Sequence, residues 1–246
     1  LGRLDTAYNY AQAALQIGEE YHHPDVIALG YRALGEIYRL LCDYPQAIHY
    51  YQLGVEGAQE HFLGLDNLYR LGLTRCYAGD SEGADQVNLT IPILQRSSIQ
   101  IGVISAQLCQ ALIAASEQKW EQVRNLAHAL EAQTRINKID SYHINALCLL
   151  GEVAFAEEKY QEALKYYHQA IDKTQAIQNP WMELKAQAGV DRALQQQDST
   201  TTAPTQRIAV LLKRLDTHIS LPEIRPSFEK FQQQVTQRTC VKTDTL

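Results

Sequence analysis

The 246-residue sequence is poor in several residue types and patterns. It has one Met, two Trp and four Phe, and no run approaches the roughly 18 consecutive apolar residues of a membrane span. We therefore expect no membrane-spanning helix and no membrane partner. Val is infrequent and no long stretch alternates apolar with polar residues, so β-strands are not expected either.

An excess of basic residues is also missing. The chain carries 22 Lys+Arg against 28 Asp+Glu, a formal net charge of −6. Nucleic-acid binding requires a positive surface, so we expect no nucleic-acid partner. With 46% hydrophobic and 20% charged residues, the composition is that of a folded globular chain.

The cysteines do not form a metal-binding or disulfide pattern. They are odd in number and show no C-x-x-C spacing: Cys42, Cys76, Cys109, Cys148 and Cys240. A zinc site or disulfide framework is therefore not expected. Small, buried and reduced thiols are the simpler interpretation, and they predict a cytoplasmic protein.

Motifs for catalysis are missing as well. The sequence contains no G-x-S-x-G, no P-loop and no H-E-x-x-H. The nearest candidate for a metal cluster is His22-His23-Pro24-Asp25, where adjacent histidines point apart and Asp25 suits a helix cap. We predict that the protein is not an enzyme and that it uses no cofactor and no metal.

The residues that are abundant predict helices. Ala, Leu, Gln and Glu are good helix formers. Apolar residues recur at intervals of three and four residues, as in Tyr31, Leu34, Ile37, Tyr38 and Leu41. Helix breakers separate these segments at His23-Pro24-Asp25, Cys42-Asp43-Tyr44-Pro45, Ala78-Gly79-Asp80-Ser81, Asn179-Pro180 and Asp198 through Pro204. We therefore predict helix pairs with short turns.

The helix pairs repeat in sequence. One pair reads Tyr31-x-x-Leu34-Gly35-x-x-Tyr38, then Ala47-x-x-x-Tyr51-x-x-Gly54, and it returns as Leu147-x-x-Leu150-Gly151-x-x-Ala154, then Ala163-x-x-x-Tyr167-x-x-Ala170. Leu68-x-x-Leu71-Gly72 with Ala84 keeps the same register, and residues 99–136 repeat it loosely. A mid-helix Gly costs about 1 kcal/mol relative to Ala. Its recurrence at one register indicates close helix packing.

This pattern resembles the tetratricopeptide repeat family from residue 3 to about residue 196, with units longer than usual; a generic α-solenoid of helical hairpins is the alternative. The resemblance implies an all-α, right-handed superhelical solenoid of antiparallel helix pairs, about five units over residues 1–198. Residues 199–246 are predicted to form a loop and C-terminal helices that cap the array. The alternative for this end is a basic contact surface for another domain.

In that family the first helices of the units line a concave groove where partners bind. The resemblance therefore places the candidate binding residues beside the packing positions of the first helices. The main candidates are Arg32, Glu36, Arg39, Tyr69, Leu73, Tyr77, Asn145, Glu152, Phe155 and Lys185, accompanied by Cys76, Leu108, Leu112, Ser116, Cys148 and Arg192. The expected groove is charged at both ends and apolar in the middle, which suits a peptide, a helix or an amphipathic small molecule.

These features predict a binding module whose groove takes a protein or peptide segment. The alternative is a receptor that encloses a small molecule or signalling peptide in the superhelix. Residue 1 is not Met, so we expect a piece of a longer protein. Together with the long repeats, this resembles the sensor regions of bacterial multidomain regulators, such as maltotriose-responsive transcription activators and signal-transduction ATPases. That resemblance implies an attached effector domain.

Overall fold

All regular secondary structure in the described part of the chain is α-helical. The computed structural model describes residues 3–57, 62–80, 82–96, 100–197 and 206–236. Its helices are α1 (Leu4–Glu20), α2 (Pro24–Leu40), α3 (Tyr44–Gly57), α4 (Phe62–Tyr77), α5 (Glu82–Arg96), α6 (Gln100–Ser116), α7 (Trp120–Asn137), α8 (Asp140–Ala156), α9 (Tyr160–Ala176), α10 (Pro180–Gln197), α11 (Gln206–Asp216) and α12 (Arg225–Thr236). None of them combines the length and apolar character needed to cross a membrane.

Most of the helix-to-helix turns share one geometry. The residue that reverses the chain has a positive φ in seven of them: His22, Cys42, Gly79, Gln118, Lys138, Glu158 and Gln178. In each turn the next residue donates its backbone N–H to the carbonyl five positions earlier, as from Asp43 to Tyr38 at 2.9 Å. This left-handed cap satisfies the exposed carbonyls at the helix end. The described breakers within residues 22–180 thus lie at or next to turns, whereas Ser81 and Asp198 through Pro204 lie outside the described residues.

The helices stack in chain order. Each helix from α1 to α10 packs against the next, and α2, α4, α6, α8 and α10 each contact the next member of that set as well. We call these five the inner helices. They are the first helices of the five predicted units, while α1, α3, α5, α7 and α9 are second helices. The prediction of an all-α solenoid of helix pairs is confirmed.

Close approach within a unit depends on glycine. A Cβ atom placed on Gly35 would lie 2.6 Å from the Tyr51 ring, and one on Gly151 would lie 2.6 Å from the Tyr167 ring. Both tyrosines are almost fully buried. The aromatic side chain of the second helix therefore fills the space that glycine leaves on the first helix, as the sequence register predicted.

Residues 206–236, here called the closing segment, connect the two ends of the solenoid. The side chain of Asp5 in α1 accepts hydrogen bonds from the backbone N–H and the hydroxyl of Ser220, both at 2.7 Å. The hydroxyl of Ser227 donates to Asp43 at 2.6 Å, and the hydroxyl of Tyr38 donates to the backbone carbonyl of Glu223 at 3.1 Å. Helices at the start of the described chain are thereby joined to those at its end.

Apolar packing supports the same connection. Trp181 of α10 packs against Phe228 and Phe231 of α12, with ring centroids 6.4 and 5.5 Å away. One continuous hydrophobic cluster includes these residues together with Leu4 of α1 and Leu41, which directly follows α2. The closing segment, whose helices were predicted to cap the last unit, therefore contacts both that unit and the start of the described chain. The described helices surround a central space.

Candidate functional site

The central space contains a cavity of about 330 Å³. All five inner helices and α12 contribute to its wall, through Glu36, Arg39, Leu40, Tyr69, Arg70, Leu73, Ser105, Leu108, Cys109, Leu112, Ser141, Tyr142, Asn145, Asn179, Trp181, Met182, Leu184, Lys185 and Phe231. Its volume falls within the range of small-molecule sites in proteins. The cavity is the candidate functional site.

The structure brings together part of the predicted set. Eight predicted residues line the cavity: Glu36, Arg39, Tyr69, Leu73, Leu108, Leu112, Asn145 and Lys185. The remaining eight lie outside its wall: Arg32, Cys76, Tyr77, Ser116, Cys148, Glu152, Phe155 and Arg192. The two groups differ in their height along the helices. In α8 the lining residues lie in the first two turns, and in α2 they lie in the last two.

Glu36 is the central acid of the site. Its carboxylate accepts two hydrogen bonds from the Arg39 guanidinium at 3.1 and 2.7 Å, one from the Tyr51 hydroxyl at 2.8 Å, and one from Arg70. Burial raises the pKa of Glu36, but the charges of Arg39 and Arg70 and these hydrogen bonds outweigh burial. The pKa of Glu36 therefore lies well below its ordinary value.

A second buried carboxylate extends this network. Asp66 is 6% exposed and pairs with Arg32 at 3.0 Å and with Arg70 at 3.1 Å. Three guanidiniums, those of Arg32, Arg39 and Arg70, thus share two carboxylates, and the network retains one formal positive charge. Arg32 belongs to this network through Asp66, but it does not line the cavity.

The fourth unit repeats half of this arrangement. The hydroxyl of Tyr167 donates to Glu152 at 2.7 Å, and Arg192 of the next inner helix pairs with the same carboxylate. This geometry matches that of Tyr51, Glu36 and Arg70, and in both units the acid directly follows the close-packed glycine. We conclude that Glu152 and Arg192 join neighbouring units.

Two aromatic residues from the predicted set serve packing as well. Phe155 occupies the offset that Arg39 has in the first unit, and the Arg192 guanidinium lies over its ring at 5.1 Å. Tyr77 packs its ring against that of Tyr44, with centroids 6.1 Å apart. Burial raises the pKa of the Tyr77 hydroxyl above its ordinary value. The first unit thus keeps a cavity-lining cation where the fourth unit has an aromatic ring.

Lys185 of α10 is a further cation in the cavity wall. Its ammonium group donates to the side-chain oxygen of Asn145 at 3.3 Å. Burial lowers the pKa of Lys185, the charges of Arg39 and Arg192 lower it further, and Cys148 and Glu152 counteract them. Lys185 and Asn145 were both predicted, and they meet across two inner helices.

Several lining residues were not among the predicted ones. The hydroxyls of Ser105 and Tyr142 lie 2.6 Å apart, and burial raises the pKa of the Cys109 thiol to about 12. Trp181 of α10 and Phe231 of α12 also line the cavity, and their ring centroids lie 5.5 Å apart. Arg70 could have been proposed from the sequence, because it directly follows the predicted residue Tyr69. No periodicity in the inner helices could have indicated a residue from α12.

The wall offers guanidinium, ammonium and hydroxyl groups next to leucine and aromatic side chains. Within the described ranges, no group of three or more His, Cys, Asp or Glu residues could hold a metal ion. No disulfide joins the described cysteines to one another, and Cys42, Cys109 and Cys148 are buried. Cys240 lies outside the described residues. The arrangement can bind a molecule that has both polar and apolar parts.

Comparisons with known proteins inform the fold. No family model matches the sequence, and no curated protein matches it. Among solved structures, the chain is similar to BtubC (BKLC) from P. vanneervenii, with 13% sequence identity and a TM-score of 0.55. The similarity covers 88% of this chain and 89% of BtubC. At this identity the likeness concerns the fold alone.

Proposed function

We propose that the chain is a sensor module that encloses a small, amphipathic ligand in the central cavity. The observation that carries this proposal is the composition of the wall, to which all five inner helices and α12 contribute. A ligand held there touches every unit of the solenoid. Its binding can therefore favour one curvature of the stack over another.

The chemistry of the wall supports an amphipathic ligand. Arg39, Arg70 and Lys185 supply cationic hydrogen-bond donors, whereas Leu108 and Leu112 supply apolar surface. Ligand sites in proteins commonly combine an apolar lining with a few polar groups that fix orientation. The proposed role is binding, without catalysis, metal or cofactor.

The enclosed ligand ranks ahead of the protein or peptide segment that the sequence predicted. A long peptide needs an open groove, and α12 packs Phe231 into the cavity wall between the ends of the solenoid. We include a short peptide terminus among the candidate ligands. We keep the proposal of a cytoplasmic regulatory protein with an attached effector domain, on the resemblance to tetratricopeptide-type sensors.

A thermal-shift screen of small metabolites and short peptides tests the proposal, because a ligand that binds only the folded state stabilises it. A compound present at a hundred times its Kd is expected to add about 2.7 kcal/mol to the free energy of unfolding. In the Leu108→Trp variant the larger side chain enters the cavity, and protection should disappear. The matched control is Leu89→Trp on α5, where the leucine is 72% exposed.

Compounds that protect the wild type and Leu89→Trp but not Leu108→Trp support the proposal. If Leu108→Trp folds and is protected as strongly as the wild type, the ligand lies elsewhere and the proposal is wrong. A screen that protects none of the three proteins also contradicts it.

A further inference from the structure

The acid of the fourth unit is held by one hydroxyl and one cation. Glu152 accepts a hydrogen bond from the Tyr167 hydroxyl at 2.7 Å and pairs with Arg192 of the next inner helix. Three residues after this acid the chain has an aromatic side chain, Phe155. One carboxylate and one guanidinium therefore suffice to join these two units.

The first unit repeats these contacts and adds a second cation. Glu36 accepts a hydrogen bond from the Tyr51 hydroxyl at 2.8 Å and pairs with Arg70 of the next inner helix. Three residues after this acid the chain has Arg39, which lines the cavity. Because the fourth unit is joined to its neighbour without such a cation, the position of Arg39 indicates a role in the cavity.

Arg39 uses one edge of its guanidinium inside the protein. Its Nε and Nη2 atoms donate to the same oxygen of Glu36, at 3.1 and 2.7 Å. The end-on edge, formed by Nη1 and Nη2, has no hydrogen-bond partner among the residues that the structure describes. Such an edge presents two parallel N–H groups, the geometry that binds two oxygens of one anionic group.

Arg70 lies beside Arg39 on the same carboxylate. Arg39 donates to one oxygen of Glu36 and Arg70 to the other. Arg70 also donates from Nε to Asp66 at 3.1 Å, while its Nη2 has no partner within the described ranges. Both arginines line the cavity, so its wall contains two neighbouring guanidiniums with N–H groups still available.

The charge of the wall favours an anion with more than one negative charge. Three cations and one acid line the described cavity, an excess of two positive charges: Arg39, Arg70, Lys185 and Glu36. Burial lowers the pKa of Lys185, and the charge of Arg39 lowers it further, so these two cations repel each other. A phosphate monoester carries a charge of about −1.5 to −2 at pH 7, whereas a carboxylate carries one negative charge.

Apolar side chains from several helices form much of the remaining wall. Leucine, methionine and aromatic residues of α2, α4, α6, α10 and α12 contribute, among them Leu73, Leu108, Leu112, Trp181 and Met182. Apolar surface therefore surrounds the ligand space and is not confined to one side. A ligand that fills this space needs an apolar body next to its anionic group.

We propose that the ligand of this cavity is a small phosphate monoester, whose phosphate group accepts hydrogen bonds from the end-on edge of Arg39 and from Arg70. Its alkyl or aromatic body lies against the apolar part of the wall. Arg39 is the residue that selects the phosphate group, because the contact between the units does not require it. This inference rests on the proposed function and names its ligand class.

Octyl phosphate, octanoate and octanol test the anionic group on one apolar body. Trp120→Phe leaves Trp181, which lines the cavity, as the single tryptophan and the fluorescent reporter. Titrations use concentrations below those that form micelles, at about pH 8, where the phosphate is a dianion. We expect octyl phosphate to change the Trp181 emission and to bind at least about tenfold more tightly than octanoate or octanol.

Substitutions at Arg39 test the position of the phosphate, with binding measured by thermal shift. Arg39→Phe gives the first unit the side chain of the fourth and leaves Glu36 its contacts with Tyr51 and Arg70. It should weaken octyl phosphate about tenfold or more and leave octanol unaffected. Arg39→Lys keeps the charge without the parallel N–H groups and should lose part of the affinity. The matched control is Arg135→Phe, at a side chain that is 69% exposed, and it should bind like the wild type.

The outcomes separate the two proposals. Equal binding of octyl phosphate and octanol, or unchanged affinity in folded Arg39→Phe, overturns the phosphate site. If Arg39→Phe does not fold, unchanged affinity in Arg39→Lys overturns it instead. Octanoate that binds as tightly as octyl phosphate also shows the phosphate assignment to be wrong.

One further result contradicts this inference alone. If octyl phosphate is inert while library compounds protect the wild type but not Leu108→Trp, the phosphate site is wrong and the proposed function stands. If no compound protects the wild type, the proposed function fails and takes this inference with it.

Discussion

At the scale of single residues, the charges of the site are organised by carboxylates that each serve two or more cations. Glu36 lies between Arg39 and Arg70, and its side chain is 27% exposed. Removing such an acid leaves two guanidiniums close together without their shared partner. The loss should therefore exceed that of an ordinary surface ion pair.

Glu36→Gln is expected to lower the free energy of unfolding by about 2 kcal/mol at pH 7, a value reduced from that of fully buried pairs because of the partial exposure. The pKa of Glu36 is depressed in the folded state, so its stabilisation is present above the ordinary pKa of 4.5 and is lost as the pH falls below it. Urea unfolding at several pH values should show the difference from wild type shrinking towards acid.

The control for this experiment is Glu162→Gln on the exposed face of α9. It should match the wild type across the same pH range. A Glu36→Gln deficit that stays constant down to about pH 2 would mean that the carboxylate charge is not the source of the stability.

The sequence predicted some residues of the site and missed others for a definable reason. The resemblance to the repeat family indicated which helices line the groove, and helical periodicity gave the face on which a residue lies, so the prediction included Glu36, Leu73 and Lys185. Periodicity does not give the height of the cavity along each helix, which shifts from the end of α2 to the start of α8. Glu152 and Phe155 lie on the predicted face of α8, but nearer to its C-terminal end than the residues that line the cavity.

At the scale of helices, the main packing device is an aromatic ring set between glycines. Cβ atoms on Gly151 and Gly189 would lie 2.6 and 2.4 Å from the Tyr167 ring. The ring is therefore held by two inner helices, α8 and α10, and cannot move away from either. The fold was predictable at this scale because the glycine and tyrosine positions recur in sequence at a fixed offset.

Gly151→Ala is expected to destabilise the protein by about 1 kcal/mol. Overpacking against the Tyr167 ring, which two inner helices hold in place, costs about 1–3 kcal/mol, and the higher helix propensity of Ala offsets about 1 kcal/mol of this cost. Urea unfolding measures the change. Gly57→Ala is the matched control, because its Cβ would meet only Ile27, at 3.7 Å, and it should be neutral or slightly stabilising. A Gly151→Ala protein as stable as this control would contradict the packing argument.

At the scale of the whole molecule, the closing segment changes how the solenoid is stabilised. Units of an open solenoid contact only their neighbours, so the terminal units open most readily. Here the closing segment contacts Asp5 of α1 and Tyr38 of α2 as well as Trp181 of α10. The repeat pattern could not predict this contact, because residues 206–236 do not follow the repeat.

Phe228→Ala tests the connection, since Phe228 is fully buried between the ends of the solenoid. The substitution should cost about 3–5 kcal/mol. Hydrogen exchange should then rise in α1 and α2 as well as in α10–α12. Lys230→Ala, on the exposed side of α12, should change neither quantity. Faster exchange confined to residues 206–236 would show that the closing segment does not support the first helices.

The bond between Asp5 and Ser220 also bears on how the chain folds. It joins residues 215 positions apart, whereas most helix contacts in the solenoid are between neighbours in sequence. Local hairpins can form quickly, but a contact of this separation must first overcome the entropy of closing a long loop. We expect the helices to assemble early and the union of the two ends to be the late step of refolding, so the cavity acquires its complete wall only then.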